Sequence, residues 1–239
     1  MAVGKLKAMS EPSNHDLAVR MADLARVVAA PRRAGDILAE VTAAAVELIA
    51  GVDTAGILLI SKGGQFESVA TTDDVPHELD ELQYALNEGP CIEAASSSDY
   101  DVVRTDDFRH ETRWPSYSAA VCKLGVLSGL SFRLYTHERT AGALNLFGYQ
   151  PTTWDVEQQT IGTVLAAHAA AAIMSNRQSE NLRSAVASRD RIGQAKGIIM
   201  ERYDVDDVRA FDMLRRLSQE SNTSLVEIAQ RVVNTRGDR

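Results

Sequence analysis

Apolar residues change their spacing several times along the chain, and each change marks an element. Ile37, Leu38, Val41, Ala45 and Leu48 recur at three- and four-residue intervals, so residues 16–50 read as helical with an interruption at Pro31. The period then shortens. Residues 54–61 (TAGILLIS) and 65–71 (QFESVAT) read as two strands of a hairpin turned by Lys62, Gly63 and Gly64. Helical and loop segments follow to Leu124, after which residues 126–136 and 141–148 read as two more strands around a charged turn at 137–139. No proline occurs after Pro151, and from Trp154 to Arg202 only Gly162, Gly193 and Gly197 weaken a helix. This order predicts an α+β fold with one antiparallel sheet and helices packed on it.

The last fifty residues break with that pattern and predict three short helices. The first ends at Arg202 with Ile192, Ala195, Ile199 and Tyr203 on one face. The second is capped by Asp206 and carries Val208, Phe211, Leu214 and Leu217 as its apolar stripe, stopping near Ser221 and Asn222. The third opens on a capping box, Ser224 with Glu227, and buries Leu225, Ile228, Ala229, Val232 and Val233. None is long enough to be stable alone, so the three stripes require one another.

Charge separates the same segment. The chain has a net charge of −8, yet from Leu182 onward Lys and Arg number 11 against 9 Asp and Glu. A basic tail on an acidic chain points to a polyanionic partner for the tail alone. Arg189, Lys196, Arg215 and Arg216 do not fit the apolar stripes and are expected on the solvent side.

Two strings in this tail carry a resemblance. Arg189, Ile192, Ala195, Lys196, Gly197, Ile198 and Met200 form R-x-x-I-x-x-A-K-G-I-x-M, and residues 210–222 form A-F-x-x-L-R-R-L-S-x-x-S-N. Together they resemble the ANTAR domain, a three-helix RNA-binding antitermination module, over roughly residues 182–236. The resemblance implies binding to a pair of short-looped RNA hairpins that keeps a transcription terminator from forming. Its RNA surface would involve Arg189, Lys196, Gly197, Arg215, Arg216, Ser218 and Asn222. Arg and Lys neutralise phosphates, Arg also stacks on or hydrogen-bonds loop bases, and Ser and Asn add short polar contacts. With Phe211 assigned to the core stripe, no aromatic stacking platform is expected. Gly193 and Gly197 fit either close approach by a partner or, for Gly193, close packing against Ala210. A helix-turn-helix on DNA is the alternative, with Glu227, Gln230, Arg231 and Asn234 on its third helix.

Upstream, the strings NEGPCIEA (87–94), D-x-x-x-x-x-R-W-P (107–115) and GALNLFGYQP (142–151) resemble the GAF domain, a sensory fold, over roughly residues 35–175. The resemblance implies a pocket between the sheet and the helical insertion that takes a small-molecule effector. A GAF domain that recruits another protein and takes no ligand is the competing reading. Cys91 and Cys122 are expected to be ordinary buried thiols, which leaves catalysis without support. Five scattered histidines show no metal-ligand spacing, and no metal is expected.

Assembled, the reading is a disordered segment at 1–15, a GAF-like sensor with its leading helix at 16–175, a helical connector at 176–188 and an ANTAR-like RNA-binding domain at 189–236. A heptad trace places Ile161, Leu165, His168, Ala172, Ser175, Ser179, Leu182, Val186 and Arg189 on one seam, which predicts a homodimeric coiled coil through the connecting helix. The alternative is a last sensor helix that packs at home, followed by a flexible linker at 175–179. No apolar stretch approaches the ~20 residues of a membrane span, and a cytoplasmic, signal-responsive regulator of transcription is expected.

Overall fold

The computed structural model describes residues 33–60, 65–96, 101–136 and 139–235. The expectations for residues 1–32, for the turn at 62–64 and for residues 137 and 138 lie outside them. Chain contacts divide into two compact units between Asn176 and Arg177.

The first unit opens with helix α1 (Ala34–Leu48), whose Ile37, Leu38, Val41, Ala45 and Leu48 are buried as their spacing predicts. Strands β1 (Thr54–Ile60) and β2 (Phe66–Val69) follow. Helices α2 (Val75–Leu86) and α3 (Pro90–Ser96), strand β3 (Val102–Thr105), a 3-10 turn (Phe108–His110) and helix α4 (Pro115–Lys123) form the insertion. Strands β4 (Ser128–Thr136) and β5 (Arg139–Gly148) complete a five-stranded sheet of order β2-β1-β5-β4-β3, in which every pairing is antiparallel.

The structure departs from the sequence pattern in three places here, one being that β5 takes in Arg139 and Thr140, so that Arg139 belongs to the strand and pairs with Thr136 instead of lying in the turn. β3 lies where the pattern predicts only helix and loop, because four residues are too few to show alternation; it pairs with β4, setting Val102 opposite Phe132. The strand expected from Val126 begins at Ser128, while Val126 is buried among the insertion helices.

Alternation along the central strands gives the sheet two different faces. Ile57, Leu130, Phe132, Leu134, Leu144 and Leu146 point to one side, where they form the main core with α1 and with Ile161, Leu165, Ala166, Ala169, Ala172 and Ile173 of a long helix, α5 (Val156–Tyr203). Residues at the intervening positions, Ser131 and Asn145 among them, are buried as well and take the other face.

Helix α5 is continuous for 48 residues, so no linker interrupts it at 175–179. Its opening seam positions, Ile161, Leu165 and Ala172, are spent inside the first unit's own core. Ser175, Ser179, Leu182 and Val186 are exposed. Among the described residues no helix is long and apolar enough to cross a membrane.

The second unit adds α6 (Asp207–Glu220) and α7 (Leu225–Asn234) to the end of α5. Both expected caps are present: Asp206 accepts from the Arg209 amide, and Ser224 and Glu227 satisfy each other's backbone as a capping box. The bundle core is Ala195, Ile199, Ala210, Leu214, Ile228 and Ala229. Val208, Phe211 and Leu217 are not the inner face of α6, being 70, 38 and 46 % exposed, and Tyr203 also lies outside at 57 %. Ala210 and Leu214, one turn apart, set that face, and the neighbouring Phe211 is turned about 100° from Ala210.

Gly162 marks where the sheet meets α5, since a methyl group there would overlap the Phe132 ring. Gly162→Ala should therefore destabilise the first unit by about 1–3 kcal/mol through overpacking, although Ala is the better helix former. Denaturant unfolding of the full chain measures it.

Candidate nucleic-acid interface and sensor site

The basic residues of the bundle do not share one surface. Arg189 is exposed on α5 and, with Ser188, Ile192, Gly193 and Lys196, lines an open groove whose far wall is Phe211 of α6. Lys196 is held there by an ion pair, its Nζ 2.5 Å from Asp207 Oδ1, and the same ammonium stands 5.8 Å from the centre of the Phe211 ring. Arg215 is exposed and paired with Asp212 one turn back at 2.9 Å. Arg216 borders a second surface hollow with Tyr203, Arg209 and Asp212.

Ser218 and Asn222 are engaged in the turn that ends α6. The Ser218 hydroxyl donates to the Thr223 carbonyl at 2.6 Å, and Asn222 takes a left-handed backbone with φ 49°. That geometry by itself accounts for a Ser and an Asn at these positions. Of the seven expected contact residues, then, Arg189 and Lys196 are brought together. Sequence reasoning missed Phe211 and Ile192 as groove residues, while Gly193 lies there as one of its two readings, close approach by a partner, allows. The signal for Phe211 lies in the i, i+4 pair Ala210 and Leu214, which already fixes the buried line of α6.

Gly193 and Gly197 are both exposed, and a methyl group at either would meet nothing within 4 Å. Packing against Ala210 is therefore not the reason for Gly193. Each glycine costs the helix about 1 kcal/mol relative to Ala without any internal contact to offset it.

In the first unit, the second face of the sheet carries a buried polar cluster beneath α2. Asp80, 3 % exposed, accepts from Ser68 Oγ at 2.7 Å and from Asn145 Nδ2 at 3.1 Å. Asn145 Oδ1 in turn accepts from Ser131 Oγ across the β4–β5 ladder at 2.8 Å. Burial lifts the Asp80 carboxyl to about 6, against the lowering effect of the Ser68 and Asn145 hydrogen bonds. The Tyr117 ring is fully buried near this charge, and its hydroxyl has no hydrogen-bond partner among the described residues.

The sequence strings of this unit hold the insertion helices over that cluster. Glu88 accepts from the amides of Ser116 and Tyr117 at 2.8 and 3.0 Å, which caps α4. Glu93 accepts from Trp114 Nε1 at 3.0 Å, and the Arg113 guanidinium lies 4.2 Å above the Trp114 ring. The strings at 87–94 and 107–115 are thus two halves of one contact. Gln83 Oε1 accepts from the Cys91 amide at 2.8 Å, tying α2 to α3.

Neither thiol is activated. Cys91 is fully buried, and burial and the nearby Asp80 charge both push its thiol up; burial also raises Cys122. A nucleophilic cysteine needs the opposite shift. Among the described residues no group of three or more His, Cys, Asp or Glu stands close enough to hold a metal ion.

Both sites make a prediction. Asp80 has its carboxyl raised in the folded state, so the fold binds its proton more tightly than the unfolded chain does. Its contribution is therefore most favourable below about pH 4 and is lost as pH rises to about 6. Asp80→Asn should stabilise the first unit at pH 8 relative to pH 4 when each is compared with the parent chain, which a melting series at both pH values reads. Gly193→Ala should raise the melting temperature of the second unit, because the added methyl meets open space and Ala is the better helix former, which a thermal melt of the full chain reads.

Comparison with known proteins agrees with this division. The family model of the GAF domain matches residues 32–174, and that of the ANTAR domain matches residues 180–233. No curated protein matches the chain. Among solved structures, the GAF domain from Acinetobacter phosphoenolpyruvate-protein phosphotransferase is 15 % identical with a TM-score of 0.54, covering 70 % of this chain and 96 % of that one. The domain of a putative two-component sensor histidine kinase protein from Sinorhizobium meliloti 1021 is 16 % identical with a TM-score of 0.52, over 62 % of this chain and 96 % of that one. Free methionine-R-sulfoxide reductase from Neisseria meningitidis is 15 % identical with a TM-score of 0.52, over 75 % of this chain and 99 % of that one. At these identities the likeness is one of fold. The chain belongs to the GAF domain family and carries, over residues 180–233, an ANTAR domain, the RNA-binding module of antitermination regulators.

Proposed function

We propose that this protein is a one-component regulator in which a small molecule bound by the GAF unit controls whether the ANTAR bundle grips paired RNA hairpins and so keeps a transcription terminator from forming. The observation that carries the reading is the groove of the bundle, where Arg189 and Lys196 stand beside the open backbone at Gly193 and an exposed aromatic ring. Cations beside unblocked backbone and an aromatic ring suit an unpaired loop better than a regular duplex.

The DNA alternative has less to work with. On α7, Glu227 is occupied in the capping box and the Gln230 side chain donates to Asn234 at 2.7 Å, which leaves Arg231 to face a base edge. For the sensor unit, Asp80, Asn145 and the unsatisfied Tyr117 hydroxyl support a polar effector site under the insertion helices.

The protein acts as a homodimer in this proposal. From Met174 to Ala187 every residue whose side chain is described is exposed, with Leu182 and Val186 67 and 53 % open to solvent. A helical stretch of that length gains little from its own hydrogen bonds in water, and a second copy laid along Leu182 and Val186 supplies the missing burial. Two linked bundles then engage two hairpins with an avidity that neither has alone.

Binding of the full chain to a two-hairpin RNA and to duplex DNA of equal length, across a salt series, tests this. The RNA should be preferred at physiological salt. Replacing Arg189, Arg215 and Arg216 by Ala should flatten the dependence of log affinity on log salt by about 0.7 for each phosphate that is no longer neutralised. A preference for DNA, or an unchanged slope, contradicts the reading.

A further inference from the structure

The α5–α6 groove has a feature that phosphate binding does not explain. Its far wall is a phenylalanine left 38 % exposed, outside the bundle core of Ala195, Ile199, Ala210, Leu214, Ile228 and Ala229. A backbone-tracking surface needs cations and amides but no apolar ring. The ring also sits near a cation that is itself fixed, since Lys196 is anchored to Asp207 and stands 5.8 Å from the ring centre. Across the groove from Phe211 the α5 wall has Gly193, where an added methyl would meet only open space.

We propose that Phe211 is a stacking platform for one unpaired base of the bound RNA loop, the base entering the groove over Gly193 with its flanking phosphates beside Arg189 and Lys196. This rests on the RNA-binding reading above and adds to it a specific occupant for the groove. A nucleobase matches the wall on each count. It is flat, so it uses the ring face. It is attached to an anionic backbone, so the exposed Arg189 at the groove favours it, beside a Lys196 that is shared with Asp207. It needs close access to a helix surface, which a side chain at position 193 would narrow. Gln194 and Asp190, also at the groove, offer an amide and a carboxylate through which the edge of a stacked base is read.

The test uses the full chain and a two-hairpin RNA, in its natural form and with an abasic site at each loop position in turn. Phe211→Leu keeps an apolar side chain of similar volume and removes the π face; Phe211→Trp keeps the face. Phe211→Leu should weaken hairpin binding about tenfold and Phe211→Trp should retain it. One abasic position should weaken the wild-type chain by a similar factor and leave the Phe211→Leu chain no weaker than it already is, the non-additivity expected of two partners in one contact. The abasic series changes only the RNA, so its result stands whatever the variants do to stability. Wild-type affinity in Phe211→Leu, or abasic losses that multiply with Phe211→Leu at every loop position, overturns the stacking contact while hairpin recognition stands. A wild-type chain that fails to bind the hairpins overturns the RNA reading and this inference together.

Discussion

Among the described residues one helix is used twice. The opening turns of α5 bury Ile161, Leu165, Ala169, Ala172 and Ile173 in the core of the sheet unit, and its closing turns bury Ala195 and Ile199 in the core of the bundle. Between those anchored ends the described side chains from Met174 to Ala187 are all exposed. Hydrogen bonds alone hold a helix of that length weakly, because each exchanges one polar partner for another. The middle of α5 is accordingly the part of the helix with the least packing of its own to hold it.

The sheet unit shows how a sensory fold keeps a polar interior. One face is closed by aliphatic side chains from β1, β4 and β5 against α1 and α5. The opposite face buries Asp80, Ser131 and Asn145 under helices that are held down by Glu88, Glu93 and Gln83. A carboxylate in such a place opposes the fold at neutral pH and persists when the surroundings give it hydrogen bonds or a function. Ser68 and Asn145 supply the former.

What the sequence makes legible is local. The strands β1 and β2, the Asp206 cap and the Ser224–Glu227 capping box each depend on residues a few positions apart, and each is present in the structure. Both domain types are legible because their strings are long and ordered. The face of α6 is not, because apolar type there points away from position: Val208, Phe211 and Leu217 are larger than Ala210, yet Ala210 is the residue fully buried. The heptad trace likewise gives Ile161 and Leu165 to a partner when the protein's own sheet takes them. The polar cluster is not legible at all, since Asp80 and Asn145 stand 65 residues apart and only the sheet register and the seating of α2 bring them together.

Hydrogen exchange along α5 of the full chain, with and without a two-hairpin RNA, tests the central claim most directly. The account predicts that RNA slows exchange at residues 188–196, which border the groove, and also at residues 177–187, which extend back toward the sheet unit, because gripping the RNA and ordering the shared helix are one event. Slowing confined to the groove, with the middle of α5 exchanging as before, would show that the bundle binds RNA without engaging the helix that joins it to the sensor, and would contradict the account.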